Sequence, residues 1–245
     1  IGRGIVSRTG RELAEEDAFY LVSFDCDAIT AMNMDAEVTD ADGKSVMTAL
    51  YLPDVVRDYS ETDEVSGKLH RFGCSGIDGT AYGPVFGAAP DSGKKIMVCY
   101  GVYSDVERED NDHQVILQYD PAMMDEWGKP LTQAAPHHSG CLAEARYFFY
   151  TGNTTYGVQN LEYDAYSGNW LVAVYPGKKP QFENASMFVI DGGQSPEKAV
   201  HDAYGEEINV LRLAGCSHFP HGSTGTFAVG DGRYYFSEAG RHEKH

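Results

Sequence analysis

The sequence predicts an all-β protein of the β-propeller type, and three observations carry that expectation. A polar loop followed by an aromatic or β-branched strand recurs along the chain. Turns rich in Gly and Asp separate short apolar runs. No segment keeps a helical period for more than about two turns. The clearest copy of the repeat is Arg146-Tyr-Phe-Phe-Tyr-Thr-Gly-Asn-Thr-Thr-Tyr-Gly-Val-Gln-Asn-Leu-Glu-Tyr163, where one strand enters Thr151-Gly-Asn-Thr-Thr155 and a second leaves it. The stretches 69–86 and 211–229 follow the same pattern and share Gly-Cys-Ser at 73–75 and 215–217. A fainter copy, Ser7-Arg-Thr-Gly10 followed by Phe19-Tyr-Leu-Val-Ser-Phe24, opens the chain. Aligned on Gly10, Gly79, Thr155 and Gly225, the spacings are 69, 76 and 70 residues. Repetition at a near-constant period, with several short strands per unit, is the signature of a propeller.

The first unit covers about 8–68. Its strand at 19–24 is followed by a hairpin, 36–39 and 45–52, turning on Asp40-Ala-Asp-Gly43. The acidic stretch 54–66 reads as a solvated loop. The second unit, 69–140, has strands at 95–103 and 113–119. Between them Ser104–Asp112 carries seven charged or amide side chains and is expected to be exposed. The third unit, 145–210, has strands at 156–163, 170–175 and 187–191. Ser195-Pro-Glu-Lys198 is its one helix start, with Ser195 as N-cap and Pro196 at the first helical position. The fourth, 211–245, is half a unit.

All four belong to one domain spanning 1–245. Three and a half units of ~70 residues fall short of a closed ring, since propellers have four to eight blades. The expectation is therefore an incomplete ring, a fragment of a longer chain. A β-sandwich built from the same strands is the alternative.

Composition limits the function classes. A net charge of −18 repels phosphate backbones and anionic lipid, so no nucleic-acid partner is expected. Apolar runs such as Ile96-Met-Val-Cys-Tyr100 are too short to span a bilayer. No signal peptide stands in the sequence, and the compartment stays open. The five cysteines form no Cys-x-x-Cys pair, which excludes a disulfide scaffold or a zinc ribbon. Cys99 reads as a core residue, and Cys74 and Cys216, at matching positions, as packing residues.

In a propeller the loops entering the innermost strands line the channel mouth. Arg8, then Asp78 and Thr80, then Asn153 and Thr155, then His218, His221 and Ser223 would converge there. Their differing chemistry suits a differentiated pocket for a small polar ligand, carbohydrate first, processed by hydrolysis or elimination. Asp78 and His221 are the acid/base candidates; Arg8, Thr80, Asn153, Thr155, His218 and Ser223 the ligand-binding ones. The same residue types also form and cap turns, so a non-enzymatic propeller presenting a binding or interaction surface is the second reading. Glycoside chemistry needs two flanking carboxylates, for which Asp27, Asp78, Glu162 and Asp231 are available, and Tyr82, Tyr156 and Phe219 could stack on sugar rings. His113, His137, His138, His218 and His221 with Asp78 supply ligand types for a divalent cation, although no spacing matches a ligand motif. No nucleophile elbow, phosphate loop or dinucleotide fingerprint is found.

Overall fold

The computed structural model describes residues 18–29, 39–64, 66–68, 72, 79–101, 105–132, 135–202, 204–223 and 225–237. Their regular secondary structure is mostly β-strand, in keeping with the all-β class. The strands are β1 (Tyr20–Phe24), β2 (Met47–Tyr51), β3 (Gly79–Pro84), β4 (Lys94–Gly101), β5 (His113–Tyr119), β6 (Ala145–Tyr150), β7 (Thr154–Asp164) and β8 (Asn169–Pro176). They continue with β9 (Met187–Ile190), β10 (Glu197–Val200), β11 (Glu207–Val210), β12 (Leu213–Ser217), β13 (Gly225–Ala228) and β14 (Tyr234–Ser237). Two short helices interrupt them, α1 (Pro53–Ser60) and α2 (Met123–Trp127). No helix among the described residues is long and apolar enough to cross a membrane.

A six-stranded sheet, β10-β11-β6-β5-β4-β3, is antiparallel except where β11 runs parallel to β6. The four-stranded sheet β12-β9-β8-β7 is wholly antiparallel. β1–β2 and β13–β14 form two-stranded sheets. The described sheets do not close into a ring.

Strand β5, His-Gln-Val-Ile-Leu-Gln-Tyr, is buried at all seven positions, as a central strand covered on both faces must be. Its period-two alternation divides the core. Val115 and Leu117 join Val98, Tyr100 and Phe148 against Phe19, Leu21, Leu50, Leu52, Val55 and Tyr59 from the β1–β2–α1 layer. Ile116 joins Met97, Cys99 and Phe149 on the other face, against Val158, Leu161, Trp170, Val172 and Phe188 of the four-stranded sheet.

Close approach at that second interface rests on two glycines of β3. A Cβ added to Gly79 would lie 3.0 Å from Leu161 Cβ and 3.1 Å from Val158 Cγ1; one on Gly83 would lie 2.7 Å from the Trp170 ring. Gly79 thus meets 158 and 161 while Gly83 meets 163 and 170, so β3 and β7 run the same way. β13 follows the far side of β7 in that direction: Ala228 N donates to Glu162 Oε1 (3.0 Å), and the Gly230–Gly232 turn lies beside Ala165 and Tyr166. The alignment points Gly79, Thr155 and Gly225 fall at the beginnings of these three strands; Gly10 lies outside the described residues.

Three local expectations are corrected. The stretch 54–66 is not one solvated loop, because Pro53 starts an α-helix whose Asp54, Val55, Asp58 and Tyr59 are buried. Val55 and Tyr59, four residues apart on one face, supply its apolar contact. The segment after Ser195 is not helical: Glu197–Val200 pairs with Glu207–Val210, setting Ala199 opposite Ile208. A cross-strand apolar pair outweighed a cap with no apolar stripe behind it. Cys216 is exposed, its thiol 3.5 Å from Glu183 Oε2, so it does not pack as a core residue; Cys74 lies outside the described residues.

Candidate functional site

Strand pairing brings the starts of β3, β7 and β13 to one end of the molecule. Gly79 opposes Cys99, Gly101 opposes Gln114, His113 opposes Tyr150, Thr154 opposes Pro176, and Gly225 opposes Ser237. The connections 105–112, 151–153, 177–186 and 218–223 therefore share this strand-entry end.

These loops are bonded to one another. Thr151 N donates to Asp112 O (3.2 Å), and Lys178 N donates to Asn153 Oδ1 (3.2 Å). Thr155 Oγ1 donates to Pro176 O (2.5 Å). Ser186 N donates to Ser217 O (3.1 Å), while Ser186 Oγ donates to Phe219 O (2.6 Å) and accepts from Phe219 N (2.8 Å). Lys179, almost wholly buried, gives its ammonium protons to Asp112 Oδ1 (2.6 Å), Asn111 Oδ1 (2.8 Å) and the Arg108 carbonyl.

The connection 105–112 corrects the expectation of an exposed loop, for Arg108, Asp110 and Asn111 are buried. Opposite charges make this burial tolerable. Arg108 chelates Asp110, with Nη2 3.0 Å from Oδ2, and the Tyr204 hydroxyl donates to the same carboxylate. Burial alone would raise the Asp110 carboxyl; the bonds from Arg108 and Tyr204 outweigh it and hold it below the ordinary range. Beside it lie two buried imidazoles, His113 and His201, with Nδ1 of the first 3.3 Å from Nε2 of the second. Burial, reinforced by the neighbouring His201, lowers His113 to about 3, so it is neutral at physiological pH.

No protein-family model, curated protein or solved structure matches the chain. The site has to be read from its own residues.

Of the expected site residues, Arg8 and Asp78 lie outside the described residues. Asn153, His218, His221 and Ser223 stand on the strand-entry loops, and Thr155 and the exposed Thr80 each lie one residue into β7 and β3. They differ in what they do there. Asn153 is buried, its Oδ1 tied to Lys178 and its Nδ2 without a hydrogen-bond partner among the described residues. Thr155 bonds across to β8. His218 is exposed, its Nε2 3.6 Å from Glu183 Oε1, and His221 is exposed with its ring edge-on to Phe219 at 5.3 Å. Tyr156 is half exposed and meets Tyr175 edge-to-face at 5.4 Å.

Two of the expected carboxylates lie away from this end. Glu162, raised chiefly by burial, sits toward the β7–β8 turn, and Asp231 is in the β13–β14 turn, paired with Arg233 at 2.6 Å. Asp27 follows β1 in a single 3-10 turn. Among the described residues no group of three or more His, Cys, Asp or Glu is placed to hold a metal ion. His137 is engaged elsewhere, with Nε2 3.1 Å from Lys129 O, and His138 stacks on Tyr51.

Two residues at this end escaped the sequence reading. Gln114 is wholly buried, donating from Nε2 to Thr151 Oγ1 (2.9 Å), and its side chain fills the space left by Gly101. Its signal was a polar residue inside an otherwise apolar strand. Lys179 carried none: it stands in Gly177-Lys-Lys-Pro180, which reads as a surface turn.

Proposed function

We propose that the chain is a propeller-type repeat protein whose strand-entry end binds a small polar ligand of the carbohydrate class. The observation that carries this reading is the side-by-side, same-direction packing of β3, β7 and β13. Each carries one of the aligned repeat positions, and such an arrangement is what a propeller's innermost strands require. The described loops before β7 and β13 then face one mouth.

Carbohydrate suits this end better than other ligands. Amide, hydroxyl and imidazole groups match sugar hydroxyls, and the exposed Tyr156 beside Tyr175 offers an apolar ring face. The acidic surface disfavours polyanions. The loop-to-loop bonds favour a preorganised site. The hydrolytic version of the reading assigns acid and base roles to Asp78, which precedes β3 in the sequence, and to His221.

The test is calorimetric titration with a panel of neutral and acidic oligosaccharides, followed by assay of reducing ends. Binding that Tyr156→Ala or His218→Ala weakens at unchanged melting temperature supports the reading. Release of reducing ends lost in Asp78→Asn and His221→Ala assigns the hydrolytic version; binding without release leaves a non-enzymatic module. No heat and no spectral change across the panel overturns the carbohydrate class.

The non-enzymatic version has one observation of its own. Asn153 Oδ1 and Thr155 Oγ1 point at backbone groups of the next loop and not into open space. Those two residues shape the loop end, whatever occupies it.

A further inference from the structure

The β13–β14 hairpin repeats the register of β3–β4. Gly225 opposes Ser237 as Gly79 opposes Cys99, and Phe227 opposes Tyr235 as Ala81 opposes Met97. In β3–β4 that second pair faces the next unit. Ala81 and Met97 belong to the core shared with Val158, Leu161 and Trp170, and Met97 is wholly buried. In β13–β14 the corresponding side chains, Phe227 and Tyr235, are 60% and 70% exposed. The opposite face is already used: the Phe236 ring lies 4.8 Å from Phe219, and Ala228 N is bonded to Glu162 of β7. Two large rings stand cross-strand on the face that the earlier unit gives to its successor. Among the described residues β13–β14 is two-stranded, which is marginal on its own, whereas the sheet containing β7 has four strands.

We propose that the Phe227–Tyr235 face is an inter-sheet interface, and that its occupant is one more antiparallel sheet of this repeat. That sheet would run its first strand parallel to β13 and present aliphatic residues where β7 presents Val158 and Leu161. The argument is continuity. β3–β4 is covered by β7–β8 in this way, β7 is covered by β13, and the same face of β13–β14 continues the series. Rings in place of Ala81 and Met97 require smaller side chains on the incoming sheet, since the packed volume has to be shared. A second copy of the chain is the competing occupant, opposed by a charge of −18 on each partner. The inference rests on the repeat and not on the ligand, so its failure and that of the oligosaccharide titration are separable.

Hydroxyl-radical footprinting decides it, comparing the polypeptide as its cells make it with the 245-residue chain at low and high concentration. The expected result is loss of labelling at Phe227 and Tyr235 in the cellular polypeptide, with both labelled in the 245-residue chain and Tyr82 labelled throughout. Tyr235→Ser should lower the melting temperature of the cellular polypeptide and leave that of the 245-residue chain unchanged. Equal labelling in both forms overturns the proposal. So does protection that grows with concentration in the 245-residue chain alone, which would identify a second copy.

Discussion

Lys179 Nζ lies 2.6 Å from Asp112 Oδ1, joining the loop after β8 to the loop before β5. The lysine is 2% exposed and its three ammonium protons meet three acceptors, so nothing in its head group is wasted. Removing one partner of such a buried pair costs far more than the pair contributes, because the other charge is stranded. Lys179→Met should therefore destabilise the fold by ~3–5 kcal/mol, seen as a lower urea midpoint with an unchanged slope. Lys179→Arg should not rescue it, since a planar fork cannot meet three converging oxygens. A midpoint within error of the wild type would show the cage to be dispensable.

A second prediction concerns the seam between β3 and β8. Gly83 leaves no room for a side chain, as its Cβ would sit 2.7 Å from the Trp170 ring and 2.9 Å from Tyr163. Gly83→Ala should cost about 1–3 kcal/mol by overpacking. Trp170→Phe, which shortens the offending ring, should recover part of that loss when combined with it. A double-mutant cycle with no coupling would mean the two units are not in contact there.

The charged face of α1 gives a third. Asp58 is wholly buried, accepting from Tyr100 Oη (2.5 Å) and Arg146 Nη2 (3.0 Å). Burial raises its carboxyl, and the attraction of Arg146 with the Tyr100 bond offsets only part of that rise. Asp58→Ala takes its nearer carboxylate from the Arg146 guanidinium, leaving Asp54 at 3.9 Å, and should cost ~3–5 kcal/mol. Tyr100→Phe removes one hydrogen bond from a group that keeps another and should cost about 1–2 kcal/mol plus a small packing change. If both variants lose the same amount, the ion pair is not what anchors the helix.

These residues also mark where the sequence was legible. Strand positions followed from period-two and continuous apolar runs, and Gly79, Thr155 and Gly225 found the starts of three strands because a repeat preserves register. What misled was charge. Asp54, Asp58, Arg108 and Asp110 read as solvent-facing, yet each is buried beside an opposite charge far away in sequence or across a turn. A single sequence reveals that a residue is charged but not where its partner lies, so ion-paired interiors look like loops. The site suffered likewise: Gln114 reaches Thr151 because β5 pairs with β6, a pairing that local pattern does not encode.

The fourth prediction follows from the buried imidazoles. His113 is lowered to about 3 in the fold against an ordinary 6.5, by burial first and by His201 second. The groups facing it are Asp110, Arg108, His201 and the Tyr204 ring stacked on His201. Between those pH values the unfolded chain carries the proton and the folded chain does not. Stability is thus complete above pH 6.5 and falls as pH drops toward 3, by up to about 1.4 kcal/mol per unit from this group. Carboxylates held low, such as Asp110 and Asp164, add their own loss only below their ordinary value of 3.8. Urea midpoints should therefore decline between pH 6.5 and 4.5, before those carboxylates titrate. His113→Gln, which cannot take up a proton, should flatten that part of the profile while lowering its plateau. An unchanged slope in the variant would mean that His113 is solvated in the folded protein and does not titrate as a buried base.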